Sequence, residues 1–207
     1  FERMEGFVTI AHLSAYFLVA GSLLLTKKLW NRFWLVSFAV ATVIALYALM
    51  QVFGWFPMHQ GDRPDSTLGN ATYLAGYLLF HFFLAAFFLI RSHDNRISRY
   101  LYGALAIFFA IMVFLAASRG AVLGLILGSL LAALLIALFE REDRQLRKVA
   151  LGALVGVVVL VSAFIALRNT EFIRQSHALE RLATISADAG KSRFLIWNMA
   201  WQGFKER

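Results

Sequence analysis

Long apolar runs alternate with short polar blocks along most of this chain. Six runs stand out, at residues 8–25, 33–53, 71–90, 100–117, 121–139 and 149–167. Bilayer hydrocarbon is about 30 Å thick and a helix rises about 1.5 Å per residue, so each run predicts a membrane-crossing helix. The fourth and fifth runs, Tyr100 to Ala117 and Ala121 to Phe139, are separated only by Ser118, Arg119 and Gly120. One helix over both would be roughly 60 Å long, twice the hydrocarbon, so the chain must reverse between them. Gly120 tolerates the positive φ that a tight reversal needs. Arg119 is then presented at a membrane face with no acidic neighbour in sequence, which makes it a candidate anion ligand.

After Arg168 the chain turns polar. Residues 172–186 predict an amphipathic helix with Phe172, Leu179, Leu182 and Ile185 roughly on one side, and the stretch Ser186 to Lys191 breaks it. A second helix is expected from near Ser192, because Phe194, Trp197, Trp201 and Phe204 then fall on one stripe at spacings of three and four. Such a stripe beside Lys and Arg fits a helix lying in the membrane interface. Arg193 would stand at its start, where unpaired backbone N–H groups favour anions. A solvated charge flanking an interfacial helix is the simpler reading of the same residue.

Composition narrows the class. Sixty per cent of the residues are hydrophobic and fifteen per cent charged, far from a soluble average, and the charges are gathered between the runs. The net charge of +8 does not point to nucleic acid, since the basic residues form no single patch and carry no reading motif. Topology accounts for them. Alternate loops carry ten Lys and Arg on one side (27, 28, 32, 91, 96, 99, 141, 144, 147, 148) and three on the other, Arg3, Arg63 and Arg119. The positive-inside rule makes the first side cytoplasmic and places Arg63, Arg119 and the polar tail on the outer face. The predicted fold class is therefore all-α, a polytopic transmembrane helix bundle with part of a large periplasmic loop bearing amphipathic helices. Absence of cysteine rules out disulfides and thiolate metal sites. The chain opens at Phe1 and stops at Arg207 inside a polar segment, so it is expected to be a fragment with further spans downstream.

The runs contain no Asp, Glu or Pro, which disfavours a coupled transporter with intramembrane carboxylates or broken helices. Gly120, Gly124 and Gly128, and again Gly152 and Gly156, recur every four residues and predict helix-packing faces. His81 and His12 lie within runs. An intramembrane ionisable group is a functional candidate, but neither has an acidic or second histidine partner at helical spacing, and a neutral imidazole bonded to a neighbouring helix would serve structure alone. No cluster has metal-ligand spacing, so neither a metal nor another cofactor is expected.

Three motifs in order carry a resemblance. Ser66 to Tyr77, STLGNATYLAGY, opens the third run; Ser118-Arg119-Gly120-Ala121 joins the fourth and fifth; and Arg193 with Trp197 begins a helix in the outer loop. Together they resemble the O-antigen ligase superfamily of lipopolysaccharide O-antigen ligases, polysaccharide polymerases and protein O-oligosaccharyltransferases, over about Gly54 to Arg207. The resemblance implies a metal-independent glycosyltransferase of the bacterial inner membrane, acting at the periplasmic face. Its donor would be an undecaprenyl diphosphate-linked glycan and its acceptor a hydroxyl of lipid A core, glycan or protein. It further implies that Arg119 and Arg193 hold the diphosphate, with Arg63 a looser third member and Ser118, Gly120, Asn70 and Trp197 in support. The base histidine of such an enzyme would lie beyond Arg207; His177, which precedes the Arg193 motif, does not match it. A non-catalytic carrier or assembly partner for lipid-linked glycans or small anions, sharing the fold, stays open as the alternative.

Overall fold

The computed structural model describes residues 5–59, 61–92, 95–167, 170 and 188–205, of which 5 and 188–193 are described by their backbone. The regular structure of the described residues is all helical, with no strand. The elements are α1 (Glu5–Leu23), α2 (Lys27–Val52), a 3-10 turn (Ser66–Leu68), α3 (Ala71–Arg91), α4 (Arg96–Leu115), α5 (Arg119–Phe139), α6 (Arg144–Leu167) and α7 (Asp188–Lys205). Helices α1 to α6 are each long and apolar enough to cross a membrane.

Several helices begin before their apolar runs, and the caps explain why. Asn95 accepts from the backbone N–H groups of Ile97 and Ser98, so α4 starts four residues ahead of Tyr100. Asp143 accepts in the same way from Gln145 and Leu146 and sets the start of α6 at Arg144. Hydrophobicity marks the part of a helix that lipid or core requires, whereas a side-chain oxygen that satisfies the first free N–H groups marks where the helix starts.

The chain forms two compact units, Phe1–Val43 and Ile44–Arg207. The first holds α1 and the beginning of α2, where Trp30 stacks on Trp34 and both meet Phe33. His12 is exposed, with Nδ1 2.7 Å from the Val8 carbonyl one turn back.

In the second unit α3 packs along α4 and α5 along α6, while α3 and α4 also meet α5. Leu74, Ala75, Leu78 and Ala85 of α3 are buried with Phe109, Met112 and Val113 of α4. Alanines let the backbones approach where no hydrophobic driving force separates helix from lipid. The α5 glycines do the same at two positions. A Cβ on Gly128 would lie 2.5 Å from the Phe83 ring, and one on Gly124 would lie 3.1 Å from Leu79. Gly120, Gly152 and Gly156 have open space where a Cβ would be, so the expected packing face is confined to the middle of α5.

The reversal between α4 and α5 departs from the expectation. Ala117, not Gly120, takes the left-handed conformation, with φ of 48°. Ala116 caps α4, Ser118 takes the extended N-cap conformation, and Arg119 and Gly120 already belong to the first turn of α5. A helix commonly closes on a left-handed residue just past its cap, and here the turn after Leu115 puts that residue at 117.

The tail departs as well. Helix α7 starts at Asp188 rather than near Ser192, so Arg193 lies in its second turn and not at its start. Asp188 favours the positive end of the helix, and a single glycine at 190 costs too little to break it. The amphipathic helix expected over 172–186, and His177 with it, lies outside the described residues.

Candidate functional site

The site is built at one end of the α3–α4 pair, where the loop after α2 meets the turn after α4. Its organising residue is Gln51, in the last turn of α2 and fully buried. The Gln51 Oε1 accepts from the backbone N–H groups of Asp65 (3.1 Å) and Ser66 (2.8 Å). Its Nε2 donates to the Pro57 carbonyl and to Asp65 Oδ1, both at 2.8 Å. Two backbone donors and two obligate acceptors fix the amide orientation without ambiguity. One side chain thereby ties both ends of the loop to α2.

Asp65 is completely buried beside it. Besides Gln51, its carboxylate accepts from the His59 backbone N–H at 3.3 Å and faces His59 Nδ1, 3.1 Å from Oδ2. The His59 ring itself is 61% exposed. A carboxylate can only accept from an imidazole, so it holds the proton on Nδ1 and leaves Nε2 outermost. Ser66 follows with φ of 52°, and its hydroxyl donates to the Ile44 carbonyl at 2.8 Å. Gly69, also left-handed, ends the 3-10 turn, and Asn70 then starts α3 by accepting from the Thr72 N–H. Asn70 is therefore committed to capping.

Arg63 extends from this loop to the other side of the site. Its Nε donates to the Ala116 carbonyl at 3.1 Å, across fifty-three residues of sequence. That bond brings Arg63 to the turn that carries Ser118 and Arg119. Ser118 is buried, Arg119 is half-buried, and Gly120 is exposed beside them. An apolar groove of about 450 Å³ begins one helical turn along α5, lined by Phe114, Val122, Ile126, Val161 and Phe164 among others.

No family model, curated protein or solved structure matches the chain.

Other expected residues stand apart or fall outside. The Arg193 side chain lies outside the described residues. Trp197 is exposed on α7, edge-on to Phe194 at 5.8 Å, while Trp201 stacks on Phe204 with Lys205 Nζ 5.3 Å from its ring centre. His81 is buried in the α3–α4 interface, its Nδ1 2.9 Å from the Tyr77 carbonyl and its ring against Tyr77, Phe80 and Phe109. Among the described residues no group of three or more His, Asp or Glu side chains gathers as metal ligands would.

Sequence reasoning missed Gln51, His59 and Asp65. Gln51 lies inside the second apolar run, where a lone amide near the end must find partners. His59 and Asp65 flank the Arg63 position in the loop, but nothing in their spacing says that one is buried and the other exposed.

Proposed function

We propose that this chain belongs to a membrane glycosyltransferase of the O-antigen ligase type. It would transfer a glycan from undecaprenyl diphosphate to a hydroxyl of lipid A core, glycan or protein at the periplasmic face of the bacterial inner membrane. The observation that carries the reading is the Arg63 bond to Ala116, which joins the loop before α3 to the Ser118-Arg119-Gly120 turn. Two guanidinium groups from distant parts of the sequence are thus assigned to one end of the bundle. In the proposed reaction the leaving diphosphate gains charge as the glycosidic bond breaks. Guanidinium forks stay protonated and bind phosphate oxygens in pairs, which strengthens the contact in the transition state.

Arg193 of the tail joins them in this reading, with Ser118 in the N-cap position of α5, Gly120 leaving open space beside Arg119, and Trp197 seating α7 in the interface. The groove beside α5 offers an apolar surface for part of an isoprenoid chain. The count of ten basic residues against three supports the periplasmic assignment of Arg63 and Arg119.

Transfer of a lipid-linked glycan by the complete protein in membranes tests this. Arg119→Ala should lose roughly 2 to 4 kcal/mol of transition-state stabilisation, about 30- to 1,000-fold in rate, at unchanged stability. Arg119→Lys should fail nearly as badly, because lysine keeps the charge and loses the planar fork. Wild-type transfer by a well-folded Arg119→Ala protein would reduce Arg119 to a topology anchor.

A further inference from the structure

We propose that the start of α6 carries a docking site for an anionic phospholipid of the bilayer, held by Arg144, Arg147 and Lys148; the inference is independent of the transferase reading. These three residues are spaced three and four apart, so they share one side of the helix within its first two turns. All three are exposed. Among the described residues none of them is paired with a carboxylate. The nearest acids in sequence are committed elsewhere. Asp143 accepts from the N–H groups of Gln145 and Leu146, and Glu140 from those of Glu142 and Asp143. Glu142, the remaining acid of the loop, is exposed and pairs with none of the three.

That placement is unfavourable for the helix alone. Like charges three and four residues apart repel, and the first turns of a helix are its positive end, where anions are favoured over cations. The positive-inside bias does not require it, since basic residues confined to the loop before α6 would serve topology equally well. A bound phosphate removes both penalties at once, because its negative charge meets the three cations and the helix dipole together. The surface then continues in the order of a phospholipid. Leu151, Val155 and Val158 follow on the same side of α6, all exposed, so an acyl chain can lie along aliphatic side chains directly beyond its headgroup. Val157, Val161 and Phe164, which line the groove beside α5, belong to a different side of α6. A soluble anion would use the cations alone, whereas the aliphatic strip that continues from them favours the lipid.

The test uses the complete protein, purified in a neutral detergent, with phosphatidylglycerol, phosphatidylcholine or glycerol phosphate added separately. Phosphatidylglycerol should raise the midpoint of thermal unfolding by roughly 5 °C, and the other two by less than about 1 °C. Arg144→Gln combined with Arg147→Gln should abolish most of that rise. Arg96→Gln combined with Arg99→Gln removes the same charge from the start of α4 and should keep it. If the first double variant does not fold, Arg147→Gln alone carries the comparison. Native mass spectrometry of the same proteins gives a second measurement: the wild type should retain phosphatidylglycerol under detergent conditions that strip it from the α6 variant. An equal response to phosphatidylcholine overturns recognition of the headgroup charge, and an equal response to glycerol phosphate overturns the lipid in favour of a free-phosphate site. Equal losses in the α4 and α6 variants reduce the effect to bulk charge and overturn the site. None of these outcomes depends on glycan transfer, so the docking site and the transferase reading fail separately.

Discussion

Arg63 Nε donates to the carbonyl of Ala116, the residue that caps α4. The last carbonyls of a helix have no partner further along it and carry the negative end of the helix dipole, so a guanidinium satisfies both needs at once. Arg63→Ala should therefore lower stability by roughly 1 to 2 kcal/mol, beyond any effect on transfer. Arg63→Lys should recover part of that loss, since an ammonium can still reach a carbonyl. Unfolding in mixed detergent micelles measures both; equal losses in the two variants would show that the charge contributes nothing there.

At the turn itself, Ala117 holds φ of 48° with a Cβ. A non-glycine residue in the left-handed region costs about 1 kcal/mol, and a β-branched one more. Ala117→Gly should leave stability equal or slightly higher, whereas Ala117→Val should lower it by roughly 1 to 2 kcal/mol. The opposite order in thermal unfolding would place the reversal elsewhere.

The Gly128 position tests the seam between α3 and α5. Gly128→Ala drives a methyl group against Phe83 and should cost roughly 1 to 3 kcal/mol, while Gly152→Ala meets open space and should be neutral. Thermal stability of the two proteins side by side separates packing from helix propensity.

These seams also show how far the sequence could be read. The six apolar helices and their approximate spans were legible because apolar length must match hydrocarbon thickness, and the need for a reversal between α4 and α5 followed from it, though the residue that makes it did not. Which four-spaced glycines pack was not, since α5 and α6 carry the same pattern and only α5 meets aromatic rings through it. Arg119 was legible as an arginine with no acidic neighbour and Arg63 as a looser member of the resemblance, but the approach of the Arg63 loop to the α4–α5 turn depends on a bond across fifty-three residues, which no local pattern encodes. The Gln51–Asp65–His59 network escaped for a related reason. Burial of a loop residue is decided by the element it folds against, and that element is the distant end of α2.

His81 is expected to be a packing residue. It bonds to a carbonyl of its own helix one turn back and sits among Tyr77, Phe80 and Phe109. His81→Gln should keep transfer within about twofold while lowering stability by roughly 1 to 2 kcal/mol through lost ring contacts. Complete loss of transfer at normal membrane levels would make it part of the chemistry.

Gln51 leaves almost no freedom to the sequence at its position. Its amide gives two hydrogen bonds and takes two, at fixed places, from a fully buried site. Glutamate would lack the donors and set a second carboxylate against Asp65; asparagine is one methylene too short; leucine fills the volume but strands two backbone N–H groups. A position that rejects its nearest chemical neighbours for three separate reasons works like a key cut on every edge: it admits a single amino acid, and drift at 51 is closed to the chain unless residues 57, 65 and 66 change with it.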